Sequence, residues 1–337
     1  MNAPWGAVVW WVRRGIALGL AVGLVVLPGC GGGSSSSSGS SPSNGASPSN
    51  GASPSNGSPP SSAGLSSPYT PLTGSNVQPI TVNGDFAYGY PNDVLTSVTL
   101  CVPGTTTCQT IPNVLVDTGS VGVRILASQL ALALPAITSG SAPLGECFEF
   151  VDAFVWGPVV TADVVLADET AMAVPIQLLG SPAFAGPPAL CSSSGLPEQD
   201  TVASFGANGV LGVGLFTADC PACATAAPPA IYYSCPNASA PCTPTAVPVV
   251  NQVQNPVWRL PHHNNGVIIS LPPIAPGGAA RVAGTVVFGI GTAANNGLGS
   301  AQVYTTDPVG QFTTTYRGTA YPGSYLDRKG ICILRLP

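Results

Sequence analysis

The segment Asn113-Val-Leu-Val-Asp-Thr-Gly-Ser-Val-Gly-Val-Arg-Ile-Leu126 decides the fold, because two apolar runs flank an acidic turn. The first run has the composition of a buried strand, which would hold Asp117 at a fixed depth. Gly119 permits a tight turn without a Cβ, and the hydroxyls of Thr118 and Ser120 can bond the loop and the carboxylate. An ordinary Asp-containing turn between strands fits the same letters. Either interpretation predicts two strands and a short loop.

Outward from this segment, from residue 77 onward, short apolar runs alternate with Gly, Pro, Asn and Asp turns. Only Ile125–Leu134 has brief helical character. The pattern predicts an all-β protein. The best further strand candidates are Val94–Val102, Val159–Leu166, Met172–Leu179, Val267–Leu271 and Arg281–Ile290.

Composition narrows the function classes. The 337 residues include 41 Gly and 36 Pro but only 7% charged residues, which excludes coiled coils, helical bundles and helical repeats. A formal charge of -5 without a basic cluster disfavours nucleic-acid binding. With 45% hydrophobic residues, the chain can build a core. No P-loop, HExxH, GxSxG or dinucleotide fingerprint is present in the sequence, so no cofactor or metal is expected.

The first residues predict an export signal, residues 1–29. Arg13 and Arg14 precede an apolar run that ends at Leu27 and is shorter than the ~20 residues of a membrane span. Leu27-Pro-Gly-Cys30 resembles the bacterial lipobox, which implies that Cys30 is diacylated and becomes the mature N-terminus. Gly31 in place of Asp implies the outer membrane. Ordinary secretion and a retained N-terminal anchor are the alternatives.

Residues 30–75 predict a flexible tether. The segment is rich in Ser, Gly, Pro and Asn and contains SPSNGA at 41–46 and 47–52 and SPSNGS at 53–58. These hexapeptides have no apolar side chain whose burial would offset the entropy of ordering. A tether beside a lipid anchor would hold a folded domain away from the membrane.

Ten cysteines indicate an oxidising compartment. Without Cys30 and Cys332, eight remain, and an even number in an exported protein predicts disulfides. Cys101 and Cys108 bracket a Pro-Gly turn and can bridge it, and Cys147 can pair with Cys191. The other four allow three connectivities: Cys220, Cys223, Cys235 and Cys242. A redox or zinc site is the alternative for Cys220-Pro-Ala-Cys223.

The Asp117-Thr-Gly loop resembles the active-site loop of pepsin-like aspartic proteases. Asn208–Gly214 is similar to the strand that crosses beneath this loop, and the strand from Trp156 to Val165 resembles the one leaving the flap hairpin. Asn255–Trp258 and Gly284–Gly291 resemble opening strands of the second lobe. The order from about residue 77 to 327 follows the family, and the chain also resembles an uncharacterised group of bacterial lipoproteins with this architecture.

The resemblance implies a pepsin-like acid-protease fold with a complete N-terminal lobe and an incomplete C-terminal lobe. The first lobe would span residues 76–220, and a Cys/Pro-rich connector would span 221–246. The partial second lobe would span 247–337 and end in an atypical tail.

The resemblance also assigns catalytic residues. Two aspartates ~3 Å apart share a proton in such enzymes, one acting as base and the other as acid. Asp117, with Thr118 and Gly119, matches the first, and Asp327 stands where the second is expected. Arg328-Lys-Gly330 follows Asp327 in place of Ser/Thr-Gly, as in a frameshift, a truncated gene or a short natural variant. We therefore expect an inactive chain; a homodimer with two copies of Asp117 is a disfavoured alternative.

Several neighbouring residues carry further expectations. Phe150 stands at the position of the flap tyrosine and would keep an aromatic lid. Glu146, Glu149 and Asp152 are expected to be solvated charges of the flap hairpin. His262-His263 is expected in a turn and not as a metal pair, because adjacent strand residues face opposite sides.

The sequence thus predicts an exported, lipid-anchored cell-envelope protein, catalytically inactive in this form, whose partner is the outer membrane. One alternative is an active acid endopeptidase, in a longer form or as a homodimer. The other is a non-catalytic binding module that takes a peptide in the inter-lobe cleft.

Overall fold

A computed structural model of the protein describes residues 70–82, 88, 92–182, 184–227, 230–236, 241–301 and 303. Outside these ranges it describes the backbones of four further strands, at 25–27, 312–316, 319–326 and 332–334. The strands are β1 (Val25–Leu27), β2 (Val77–Val82), β3 (Val94–Cys101), β4 (Cys108–Asp117), β5 (Val121–Leu126), β6 (Thr138–Ser139), β7 (Ala142–Glu149), β8 (Phe154–Leu166), β9 (Glu169–Leu179), β10 (Gly209–Val213), β11 (Tyr232–Ser234), β12 (Thr243–Pro244), β13 (Val267–Ser270), β14 (Val282–Phe288), β15 (Phe312–Tyr316), β16 (Thr319–Leu326) and β17 (Cys332–Leu334).

Helices within the described residues are short. The α-helices are α1 (Ala189–Ser192) and α2 (Val202–Phe205), and 3-10 turns lie at Ala127–Gln129, Pro221–Ala224, Val249–Asn251 and Pro256–Arg259. No helix in this part of the chain has the length and apolar character needed to cross a membrane. The predicted all-β class is confirmed.

Six strands close a barrel in the order β8-β9-β5-β10-β4-β3, and pairing of β3 with β8 completes the circle. Alternate side chains of these strands point inward and form the main core. Val98, Val123, Val164, Ile176 and Leu211 are fully buried there. The barrel is therefore a packed core and not a channel.

The same sheet continues beyond the barrel on two sides. From β8 it extends through β7 to β11 and β12, and from β3 it extends through β2 to β14 and β13. The β2–β14 pairing joins residues 77–82 to 282–287, so the start of the described domain is tied to its distant C-terminal part. A separate four-stranded sheet has the order β1-β17-β16-β15.

The predicted strands agree with the structure to different degrees. Val94–Val102, Val267–Leu271 and Arg281–Ile290 match β3, β13 and β14 within two residues, and the candidates 159–166 and 172–179 form only part of β8 and β9. The helical prediction for 125–134 was wrong except for the turn Ala127–Gln129, because β5 continues through the buried Leu126.

The segment Asn255–Trp258 was predicted as a strand and is instead the start of a 3-10 turn. The Asn255 side chain accepts a hydrogen bond from the Val257 N–H at 3.0 Å and caps the turn. Pro256 follows at the first position, where a missing N–H costs nothing. Capping chemistry therefore outweighs the strand propensity of the apolar residues.

Four disulfides staple the domain. Cys101–Cys108 and Cys147–Cys191 form as predicted, and the remaining cysteines pair as Cys220–Cys223 and Cys235–Cys242. The Cys-Pro-Ala-Cys segment is thus a disulfide in this structure. No cysteine whose side chain is described is free, and no cluster suited to a metal occurs among the described residues.

Candidate active-site loop

The loop at residues 118–120, which we call the acid loop because it follows Asp117, joins β4 to β5, two strands that do not pair with each other. Strand β10 lies between them, parallel to β4 and antiparallel to β5. Gly212 is opposite Asp117 on one side and Gly122 on the other. The Gly214 N–H donates to the Ser120 carbonyl at 2.8 Å. The prediction that residues 208–214 form the strand crossing beneath the acid loop is confirmed.

Gly212 is required by this close approach. A Cβ at this position would lie 2.7 Å from backbone atoms of Val121 and 2.8 Å from the carbonyl carbon of Ser120. Backbone atoms cannot move aside as a flexible side chain can, so any larger residue would displace the loop. The glycine thus lets β10 pack directly beside Asp117 and the loop.

Asp117 ends β4 and is 3% exposed. Its Oδ1 accepts a hydrogen bond from the Gly119 N–H at 2.8 Å, which closes the turn. Thr118 and Gly119 are exposed, whereas Ser120 is buried. The Ser120 Oγ has no partner among the described atoms. The site is a nearly buried carboxylate, covered by an exposed Thr-Gly turn and held by three strands.

Two predicted functional residues, Asp327 and Cys30, lie outside the described residues. The pairing of Asp117 with Asp327 and the lipidation of Cys30 therefore stay predictions.

Phe150 lies in the turn that closes the β7–β8 hairpin, where its N–H donates to the Ala153 carbonyl at 2.8 Å. Its ring packs against Phe148 and Phe205, with centroid distances of 5.1 and 6.2 Å. Phe205 precedes the start of β10, whereas Asp117 pairs near the end of that strand. These contacts place Phe150 toward the other end of β10, and its role as a lid over Asp117 stays a prediction.

A buried ionic cluster lies beside the loop, and sequence reasoning missed it. Arg124 on β5 is fully buried, and its Nη2 donates to Glu146 Oε1 at 2.7 Å and to Asp219 Oδ2 at 2.8 Å. The expectation that Glu146 is solvated was therefore wrong, because this side chain is fully buried and accepts a hydrogen bond from Arg124. Glu149 and Asp152 are exposed, as expected.

The remaining polar atoms of Arg124 are also paired. Its Nε donates to Gln177 Oε1 at 2.9 Å, and its Nη1 donates to the Val121 carbonyl at 2.6 Å. The guanidinium carbon lies 3.8 Å from the centroid of the Phe148 ring, in cation–π geometry. Because Val121 directly follows the acid loop, Arg124 anchors the loop's C-terminal end.

Tyr232 on β11 completes what we call the Arg124 cluster: Arg124, Glu146, Gln177, Asp219 and Tyr232. The Tyr232 hydroxyl donates to Asp219 Oδ1 at 2.7 Å and accepts from the Val253 N–H at 2.8 Å. Burial raises the pKa of Glu146 well above its ordinary value, opposed by Arg124 and reinforced by Asp219. Burial and the Asp219 charge raise the pKa of Tyr232 in the same direction.

The histidine pair lies in a turn, as predicted. His263 Nδ1 is 2.7 Å from Thr292 Oγ1, and Glu169 Oε2 accepts from the His262 backbone N–H at 3.0 Å. These contacts tie the turn to β9 and to the loop after β14.

Residues 73–331 match the model of a family described as protein of unknown function (DUF3443). No curated protein matches the chain. Among solved structures, an aspartic proteinase from Irpex lacteus is similar, with 14% sequence identity and a TM-score of 0.36. The match covers 68% of this chain and 50% of the proteinase, so the chain spans half the length of that structure. On the family match, which covers most of its length, the chain belongs to the DUF3443 family.

Proposed function

We propose that the chain is an exported, lipid-anchored cell-envelope protein whose aspartic-protease-like lobe does not cleave peptides. One observation carries the catalytic part of this proposal. Asp117 is held in a preformed loop, and Asp-Thr-Gly occurs once in the sequence. Acid proteolysis of this type needs two carboxylates that share a proton.

A lone carboxylate in such a loop favours binding over chemistry. The Asp117 side chain can accept hydrogen bonds, and the loop at residues 118–120 offers no second acid to protonate a leaving group. The exposed Thr118 and Gly119 add hydroxyl and backbone groups at the same surface. An extended peptide offers N–H donors that match this acceptor set, so a binding module is the form of the function we favour.

The alternative is an acid endopeptidase formed when a second aspartate faces Asp117. The preformed loop favours this alternative, because β10 already fixes the position of Asp117. A homodimer is a poorer source of the second acid. Val253 and Gln254 pack against Gly122, and Asn255 Nδ2 donates to the Gly214 carbonyl at 2.8 Å. This segment covers one side of the loop and supports the expectation that a second copy is obstructed.

The catalytic proposal predicts no cleavage of a denatured protein substrate by the purified chain at roughly pH 3–5, where a shared-proton pair works. The measurement is fragment release over time, with the Asp117→Asn variant as the matched control. Equal, background-level release from both proteins is the expected result. Release by the wild-type chain that disappears in Asp117→Asn would establish the endopeptidase instead.

The anchoring proposal rests on the lipobox-like Leu27-Pro-Gly-Cys30 and the tether that follows. We expect Cys30→Ala to move the protein from the membrane fraction to the soluble exported fraction, because the acylated thiol is lost. Cys332→Ala is the matched control and is expected to stay with the membrane. Unchanged fractionation of Cys30→Ala would show that the protein is not anchored through this residue.

A further inference from the structure

We propose that the Arg124 cluster is a buried proton-binding site, in which Glu146 keeps its proton at neutral pH. This inference goes beyond the proposed function and does not depend on it. Loss of the proton would leave an uncompensated negative charge inside the protein and weaken the fold.

The first argument for a bound proton is the number of positive and negative groups in the cluster. The cluster has one cation, Arg124, and two carboxyl groups, and the three side chains are 0–1% exposed. Full ionisation would bury a net negative charge, which is far costlier than burying a neutral group. Oxygens of both carboxyls lie within 2.8 Å of the same nitrogen, Arg124 Nη2. Two carboxyls in one dry site do not both ionise readily.

The hydrogen bonds assign the proton to one of the two acids. Both oxygens of Asp219 accept bonds, one from Arg124 and one from the Tyr232 hydroxyl. Glu146 Oε1 accepts from Arg124, but Glu146 Oε2 is buried with no partner among the described residues. An anionic oxygen without a donor is the costlier arrangement, so the proton is assigned to Glu146.

The surrounding groups act in the same direction. Glu146 on β7 faces Arg124 on β5, Asp219 in the segment after β10 and Tyr232 on β11. Burial and Asp219 raise the pKa of Glu146, and Arg124 alone opposes them. Tyr232, whose pKa is also raised, stays neutral and adds no charge. Glu149 is on the same strand, but it is exposed to solvent.

Linkage gives the sign of the pH dependence. The folded-state pKa of Glu146 lies above the unfolded value of about 4.5. Between these two values the folded chain holds a proton that the unfolded chain has released. The contribution of Glu146 to stability is therefore fully present below the unfolded pKa and is lost as the pH rises through this window. Arg124 also donates to the Val121 carbonyl, so we expect the loss of stability above this window to loosen the acid loop as well.

The direct test is infrared difference spectroscopy of the full-length chain at neutral pH. The wild-type protein is expected to show the carbonyl band of a protonated carboxylic acid. Glu146→Gln removes that acid, and Asp219→Asn leaves Glu146 as the sole anion for Arg124, so both variants are expected to lose the band. Glu149→Gln, an exposed change on the same strand, is expected to keep it.

The carbonyl band is measured first in the wild-type protein, so the proposal can be tested even if a variant fails to fold. Absence of the band from the folded wild-type chain at neutral pH would overturn the proposal, as would a band that persists in both cluster variants. Urea unfolding adds a second measurement. The midpoint of Glu146→Gln is expected to rise relative to wild type as the pH increases from about 5 to 9, while the Glu149→Gln midpoint runs parallel to wild type. Parallel curves for Glu146→Gln would contradict the proposal.

Discussion

Replacing Arg124 with Met is expected to lower the free energy of unfolding by about 3–5 kcal/mol, because it strands a buried carboxylate without its cation. The substitution also removes the donors to Gln177 and the Val121 carbonyl. Urea denaturation at neutral pH measures the change as a lower transition midpoint. Met is shorter than Arg and loses the contact with the Phe148 ring, so lost packing adds to the electrostatic cost.

Two controls separate charge from volume. Arg281→Met changes an exposed arginine just before β14 and is expected to cost at most about 1 kcal/mol, because interactions of an exposed charge contribute little. The triple variant Arg124→Met, Glu146→Gln, Asp219→Asn has no charge left in the cluster and is expected to recover part of the loss. A loss below about 1 kcal/mol in Arg124→Met would show that the cluster is not a structural centre.

Removing the Cys147–Cys191 disulfide by double alanine substitution is expected to cost about 4 kcal/mol. Its cysteines are 44 residues apart, and the entropy that a cross-link removes from the unfolded chain grows with loop length. The bridge connects β7 to α1, so it also fastens the β7–β8 hairpin to the segment before β10. Thermal or urea unfolding without reductant measures the loss.

The matched control is the Cys101–Cys108 bridge, whose cysteines are seven residues apart. The same relation predicts a loss of about 2.4 kcal/mol for its double alanine variant. The order of the two losses is the decisive result. Equal losses, or a larger loss at the short hairpin, would contradict a loop-entropy origin for the stabilisation.

The acid loop could be predicted from sequence because its determinants are local. Asp117 ends a buried apolar run, and Gly119 permits the turn. Cys101 and Cys108 were pairable for a similar reason, since they bracket a short turn. Features that depend on a few neighbouring residues can be predicted without knowledge of the tertiary structure. The crossing strand Asn208–Gly214 is about ninety residues away and was predicted from the resemblance to pepsin-like aspartic proteases, not from a local pattern.

The Arg124 cluster could not be predicted in the same way, since its members come from four strands and a loop. One signal was present, because Arg124 is the single charge in a strand of six buried residues. A buried arginine requires acidic partners. Glu146 was a candidate partner, two residues after the buried Leu144 and thus on the same strand face. Only the tertiary arrangement of β5, β7, β9 and β11 identifies the partner set.

The placement of β10 between β4 and β5 also has a kinetic consequence. Gly209–Val213 lies about ninety residues after Asp117, yet among the described strands it is the one that pairs with both β4 and β5. A nascent chain therefore completes β4, the loop and β5 long before the supporting strand leaves the ribosome. Contacts of such high sequence separation form slowly. We expect the loop to be among the last parts of the barrel to acquire its final geometry, and until then β4 and β5 each leave one edge unpaired and open to association.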